Sequence, residues 1–198
     1  MNVLAVFCHP VRTSFCGALL DGVVRGLGEG GHAVQVADLY REGFQPAFRP
    51  EDFAQFDGAP MPADVRAEQA RVEWAQALVF VFPVWWWTMP AMLKGWIDRV
   101  FSYGWAWQDP SYPNSLLGQR KALVLCTAGG DDRQFQKYGY REALRVQLDV
   151  GTWGYCGLTG ATTRIFHGVD RSRPATDYAA YIEEARTLGR NLGREQAA

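Results

Sequence analysis

The sequence predicts an α/β fold, a doubly wound parallel sheet of five strands with helices on both faces. Short apolar runs alternate with segments of helical period from one end of the chain to the other. The first of them, Val3–Cys8, lacks in-out alternation, as a strand buried on both faces does. The stretches after the first, third and fourth runs carry the unusual chemistry, where open parallel sheets bind ligands. A length of 198 residues suits one domain, read as 1–198.

Val3–Cys8 is the first strand. Ser14 is placed to cap a helix through about Leu27, with Leu19, Val23 and Leu27 on one face and Gly28, Gly30 and Gly31 ending it. Ala33–Ala37 is the second strand, closing at Asp38. Residues 40–62 mix proline and phenylalanine with charges and show no sustained period. They read as a long loop, functional or part of an interface. A helix over Ala63–Trp74 precedes the third strand, Ala77–Phe82, the clearest element of the chain. Pro90 sits at a first helical position, where its missing N–H costs nothing, and that helix runs to about Phe101. Residues 102–118 form an aromatic excursion before the fourth strand, Lys121–Cys126, which Gly129 and Gly130 break. A helix within Tyr140–Val150, a short strand Thr162–His167 and an amphipathic helix Thr176–Asn191 complete the pattern.

Composition excludes several classes. Apolar residues make up 48% and charged ones 21%, the balance of a soluble globular protein. A net charge of −1 with scattered signs leaves no footprint for nucleic acid. No window has the ~18 apolar residues of a membrane span, and the apolar start without a basic leader reads as a strand rather than a signal peptide. Cys8, Cys16, Cys126 and Cys156 form no Cys-x-x-Cys pair and read as reduced packing residues of a cytoplasmic protein. Three dispersed histidines suggest no metal site. His167 reads as structural and His32 as a solvated turn residue. No nucleophile elbow is present.

The first loop, Cys8-His-Pro-Val-Arg-Thr-Ser-Phe-Cys16, lacks the glycines of a dinucleotide-binding turn. It offers Thr13 and Ser14 hydroxyls, Arg12, His9 and a helix N-terminus, a set suited to a phosphate. The plainer reading is a helix cap beside a solvated arginine. In the second, Phe82-Pro-Val-Trp-Trp-Trp-Thr-Met-Pro90, three consecutive tryptophans cannot all enter a core. They face either a flat heterocycle or an aromatic dimer contact. The third, Cys126-Thr-Ala-Gly-Gly-Asp131, permits close backbone approach to a ligand or is a plain strand-ending turn. Phe135, Tyr138 and Tyr140 after it wall a substrate pocket or simply pack.

Together the three loops resemble the flavodoxin-like NAD(P)H:quinone oxidoreductases, a family that includes the mammalian quinone reductases and small bacterial enzymes associated with potassium-efflux channels. The likeness covers roughly residues 2–168 and is strongest in Phe82–Phe101, where Pro-x-x-Trp, Pro-Ala-x-Leu-Lys-Gly-Trp and Arg-Val-Phe fall in the family's order. His9 with Arg12–Phe15 matches its first loop, and Thr127 with Gly129 and Gly130 its third. The resemblance implies a five-stranded parallel sheet in the order 2-1-3-4-5 and a tightly bound flavin, FAD or FMN. NADPH or NADH is the implied co-substrate and a quinone-like molecule the acceptor, in ping-pong hydride transfer. It implies flavin contacts at His9, Phe15, Cys16, Val84, Trp85, Trp86, Trp87, Thr127, Ala128, Gly129 and Gly130, to which Thr13, Ser14 and Pro83 are added from the loops themselves. Trp107 falls near an aromatic on the substrate side of relatives. A homodimer with the site at its interface and no membrane insertion is the implied assembly. Regulation of a potassium-efflux system and reduction of azo or nitro compounds are the alternatives. Where the mammalian enzymes place a Tyr and a His after the third loop, this sequence has Phe135 and no histidine in Gln136–Arg141. Phe135, Tyr138 and Tyr140 are the candidate catalytic residues, with Arg141 a further substitute.

Overall fold

Five strands, β1 (Asn2–Phe7), β2 (Ala33–Asp38), β3 (Ala77–Pro83), β4 (Lys121–Thr127) and β5 (Thr162–Phe166), pair in parallel in the order β2-β1-β3-β4-β5. The computed structural model describes residues 1–108, 117–118, 120–158, 160–170, 172 and 178–193. Among these the helices are α1 (Phe15–Glu29), α2 (Ala54–Asp57), α3 (Ala63–Trp74), α4 (Ala91–Val100), α5 (Asp132–Lys137), α6 (Tyr140–Leu144) and α7 (Ala179–Arg190). The expected sheet and strand order are therefore present.

Apolar runs without alternation become central strands because both sheet faces are covered. Val3, Ala5 and Phe7 join Val79, Val81 and Leu125 beneath Leu19, Val23 and Leu27 of α1 and Ala185 of α7. Leu4, Val6, Phe80, Phe82 and Val124 join Leu93 and Trp96 of α4 and Trp153 on the other face. Every residue of Val3–Cys8 and Ala77–Phe82 is fully buried, each large apolar one adding about 1.5–3 kcal/mol. The helices α1 and α7 approach so closely that a methyl at Gly26 would run into the Arg186 carbonyl.

Four local expectations need correction. Pro90 is the N-cap of α4, with φ −59° and ψ 150°; its extended backbone flanks the helix, and its carbonyl accepts the first helical bond from Lys94 at 2.9 Å. Inside the stretch read as loop, Pro50–Phe53 forms a 3-10 turn leading into α2, closed by the Arg49 amide donating to Asp52 at 2.7 Å. The short helix α5 falls where only loop was expected. Its cap is Asp131, which accepts from the Gln134 amide at 2.8 Å. The helix after Tyr140 widens into a π-helical segment, Arg145–Gly154, longer than its period suggested. His32 also sits 3.3 Å from the N-terminal amine. Residues 109–116 of the aromatic excursion and 176–177 of the expected last helix lie outside the described residues.

The long 40–62 segment is fastened by one buried cation. Arg99 on α4 donates to both Asp52 oxygens at 2.9 and 3.1 Å, to Asp64 at 2.8 Å and to the Gln45 carbonyl at 2.8 Å. The side chains of Arg99 and Asp52 are fully buried, so removing the cation strands a charge in the interior. Arg99→Met is expected to lose about 3–5 kcal/mol in denaturant unfolding; a change under about 1 kcal/mol would place the pair with solvent-screened bridges. The Arg99 hydrogen bond also holds the Asp64 carboxyl below its usual range. That contribution is present above the unfolded carboxylate pKa and is lost as pH falls through the lower folded value.

All four cysteines are buried and none forms a disulfide. Burial pushes Cys8 and Cys126 up to about 12 and Cys156 to about 11, and raises Cys16 as well. At pH 8 the thiolates are absent, so a disulfide reagent should label none of the four within minutes in the native protein and all of them after denaturation. Rapid native labelling would contradict this burial.

Candidate functional site

The strand order reverses between β1 and β3, and the carboxyl ends of four strands meet at one rim. Register sets this convergence. Phe7 pairs with Val81, Phe82 with Cys126 and Thr127 with Phe166. Beyond the strands the backbone continues to join: the Cys8 amide donates to Val81 at 3.0 Å, Val84 to Thr127 at 2.7 Å, and Ala128 to Phe166 at 2.9 Å.

In the first loop Ser14 is the N-cap of α1, its hydroxyl accepting from the Gly17 amide at 3.3 Å. The Phe15 and Cys16 amides open the helix and have no intrahelical partner, so their donors and the helix dipole face the rim. Arg12 is exposed to solvent, as the plainer reading had it, but its charge is engaged away from this anion position. It pairs with Asp21, donates to the Gly17 carbonyl at 3.2 Å and lies 5.6 Å from the Phe7 ring centroid. The close turn requires glycine at 17, where a methyl would meet the Arg12 carbonyl. His9 Nδ1 lies 3.0 Å from both the amide and the carbonyl of Val11, and burial lowers its pKa, leaving the ring neutral near pH 7.

The second loop is a tight hairpin turn. Trp85 and Thr88 exchange backbone hydrogen bonds of 3.0 and 3.1 Å, and between them Trp86 and Trp87 have φ of 49° and 62°. Two consecutive left-handed residues define the I′ geometry normally taken by Asn-Gly. Bulky side chains there store strain. Trp87 is held by stacking on Tyr140 with centroids 3.7 Å apart, and by an edge contact to Phe135 at 5.7 Å. Trp86 is 92% exposed. The Thr88 hydroxyl donates to Gln147, tying the turn to the π-helical segment.

In the third loop the Gly129 and Gly130 amides make no hydrogen bond among the described residues. The Gly130 carbonyl accepts from the Gly168 amide at 3.2 Å and lies 3.2 Å from His167 Nδ1. A fourth loop thus joins the rim, its Val169 amide donating to Ala128 at 2.9 Å.

These loops enclose two adjoining hollows. The larger, about 640 Å³, is lined by His9, Thr13, Ser14, Phe15, Cys16, Pro83, Val84, Trp85, Thr127 and Gly129, with Val11, Val169 and Asp170. The smaller, about 180 Å³, is lined by Val84, Trp86, Trp87, Ala128, Gly129, Gly130 and Phe135. Val84 and Gly129 belong to both. Every residue of the expected cofactor set lines one hollow or the other. Val11, Val169 and Asp170 were missed; the last two follow the fifth strand's carboxyl end, where the general rule for open sheets already points. Of the three candidate catalytic residues, Phe135 walls the smaller hollow, Tyr140 is committed to Trp87, and Tyr138 lies 56% exposed with the Lys137 ammonium 5.0 Å from its ring centroid. Trp107 lies elsewhere, in a hollow of about 420 Å³ with Phe48, Phe56 and Tyr155 that shares no lining residue with the other two.

The arrangement offers an anion position at the start of α1, an aromatic slot beside a glycine turn, and donors aimed into it. It offers no thiolate and no charged histidine. Such a site suits a planar phosphorylated molecule that brings its own reactivity, and a flavin nucleotide fits that description.

A family model described as Flavodoxin-like fold matches residues 1–188. The ribosyldihydronicotinamide dehydrogenase [quinone] of Mus musculus is 31% identical, over 86% of this chain and 83% of that protein. A ribosyldihydronicotinamide dehydrogenase-like protein of Penicillium crustosum is 36% identical over 70% of this chain, which spans 61% of the relative's length. Among solved structures, an NAD(P)H:quinone oxidoreductase from Methanothermobacter marburgensis superposes with a TM-score of 0.89 at 35% identity, covering 97% of this chain and 98% of that one.

Strain at the tryptophan turn has a measurable consequence. Relief of a left-handed bulky residue releases about 1–3 kcal/mol, against about 0.5–1 kcal/mol for the freedom glycine adds to the unfolded chain. Because Trp86 is exposed, Trp86→Gly is expected to raise unfolding stability by about 1 kcal/mol. A loss of that size would show that the turn is not strained.

Proposed function

The chain belongs to the flavodoxin-like family, and from that membership we propose that it is a flavin-dependent NAD(P)H oxidoreductase, passing two electrons as hydride to quinones or related small acceptors. The observation that carries this reading is the meeting of an unpaired helix N-terminus, a tryptophan turn and a glycine turn around two joined hollows. The kinship with quinone-reducing dehydrogenases supports it.

When bound, the flavin supplies the hydride-carrying centre. Thr13, Ser14 and the Phe15 and Cys16 amides hold its phosphate. Val84–Trp86 and Ala128–Gly130 grip the ring edge, with the Gly129 and Gly130 amides positioned to offset charge that develops there. Phe135 and Trp87 keep water from the closed side. The open side admits the nicotinamide and then the acceptor in turn, so one slot serves both half-reactions.

Trp107 cannot line this slot from its own hollow, and reaches a substrate only across an interface. The exposed rings of Phe53, Phe56 and Tyr155 form the face that a second copy would cover. A homodimer with the site at its interface is the assembly proposed. No helix among the described residues is long and apolar enough to cross a membrane, and cytoplasmic residence belongs to the same proposal, as does one flavin-binding domain over residues 1–198.

The purified protein is expected to be yellow, or to turn yellow on addition of FMN or FAD, and to oxidise NADH or NADPH with a small quinone as acceptor. Mass spectrometry of the extracted cofactor separates FAD from FMN. A colourless protein that takes up neither flavin would overturn the proposal.

A further inference from the structure

His167 follows β5 and its side chain is 11% exposed. Its Nδ1 lies 3.2 Å from the Gly130 carbonyl; a carbonyl only accepts, so Nδ1 carries the proton and the neutral ring leaves a bare lone pair on Nε2. Nε2 is buried and has no hydrogen-bond partner. What faces it, at 3.5 Å, is an oxygen of Asp132. The lone pair of a buried nitrogen is thus set against a carboxylate that is itself half exposed, a pairing that a proton on Nε2 would turn into an ion pair. The ring also packs edge-on against Phe135 at 4.6 Å, so both its neighbours, Gly130 and Phe135, line the smaller hollow.

We infer that His167 is a redox-linked proton site: neutral, it latches the Gly130 carbonyl, and it takes up a proton at Nε2 when hydride adds negative charge to the molecule held in the slot. This rests on the flavin reading above. A hydride from the nicotinamide brings two electrons and one proton, hence one net negative charge; one proton from solvent, bound at Nε2, balances it. When the acceptor takes the hydride away, Nε2 returns its proton to solvent. His167 touches the slot through the Gly130 peptide and the Phe135 ring, and is a positioning residue.

Burial is the largest influence on the resting ring and opposes its proton, and the surrounding groups modify that balance. Asp132 of α5 favours the proton, while Arg141 of α6 and Arg164 of β5 oppose it. Asp132 is itself paired with Arg141, and Arg164 donates to Glu184 of α7 at 3.0 Å. From α7 the Tyr181 hydroxyl donates to the His167 carbonyl at 3.3 Å. With burial added, the resting ring is held below the usual histidine pKa and is neutral at pH 7. An added negative charge nearby reverses that.

The test is the midpoint potential of the flavin-loaded protein, titrated between pH 7 and 8. Each proton taken up with two electrons contributes about 30 mV per pH unit. The native protein is expected to show about 60 mV per pH unit and His167→Gln about 30 mV, because glutamine keeps a donor for Gly130 but cannot titrate. A native slope of about 30 mV, or equal slopes of about 60 mV in both proteins, overturns the inference. Should the variant fail to load flavin, ¹⁵N-histidine spectra of the native holoprotein decide: on reduction Nε2 of His167 moves to its protonated position, and an unmoved signal overturns the assignment. Absence of flavin absorbance from the native protein would instead remove the parent reading, and this one with it.

Discussion

Parallel strands that end in register leave their last amides and carbonyls side by side, and those groups must be satisfied by whatever follows. In this chain the segments beyond the strands satisfy one another. Cys8 bonds to Val81, Val84 to Thr127, Ala128 to Phe166 and Val169 to Ala128. Residues far apart in sequence, His9, Trp85, Gly129 and Val169, are thereby fixed around one cleft. Everything proposed for the site follows from this stitching, because it places each loop without any loop needing to be rigid alone.

The rim spends its donors unevenly. Backbone groups on the strand side are paired, whereas the Phe15 and Cys16 amides at the start of α1 and the amides of Gly129 and Gly130 are left facing the hollows. The charge of Arg12 is turned away onto Asp21, so the anion binding proposed for this site rests on oriented dipoles and hydroxyls. The tryptophan turn adds stored strain in exchange for an exposed flat ring. Such strain persists only where neighbours over-determine it; Tyr140, Phe135 and Gln147 do so here.

The sheet was legible because double burial writes itself as unbroken apolar runs, and Ala77–Phe82 was clearest for that reason. Ser14 was legible as a cap, since a hydroxyl before a periodic segment has one common use. The residues that line the two hollows were legible through loop position joined to family likeness. What escaped depended on contacts distant in sequence. The Pro50–Asp57 region shows no period, because its order comes from Asp52 and its buried partner Arg99 on another element. The commitment of Arg12 to Asp21 and the stacking of Tyr140 on Trp87 are likewise choices among partners that spacing cannot rank. His167, taken from sequence as merely structural, gains interest only once its Nε2 is found buried beside Asp132.

The most direct test of the central claim is a titration of the flavin-free protein with FMN, followed by amide and indole signals in ¹H–¹⁵N spectra. The account predicts that Thr13–Cys16, Gly129 and Gly130, and the Trp85 and Trp86 indoles shift together with one saturation curve. Shifts confined to the region of Trp107, or none at all, would contradict it.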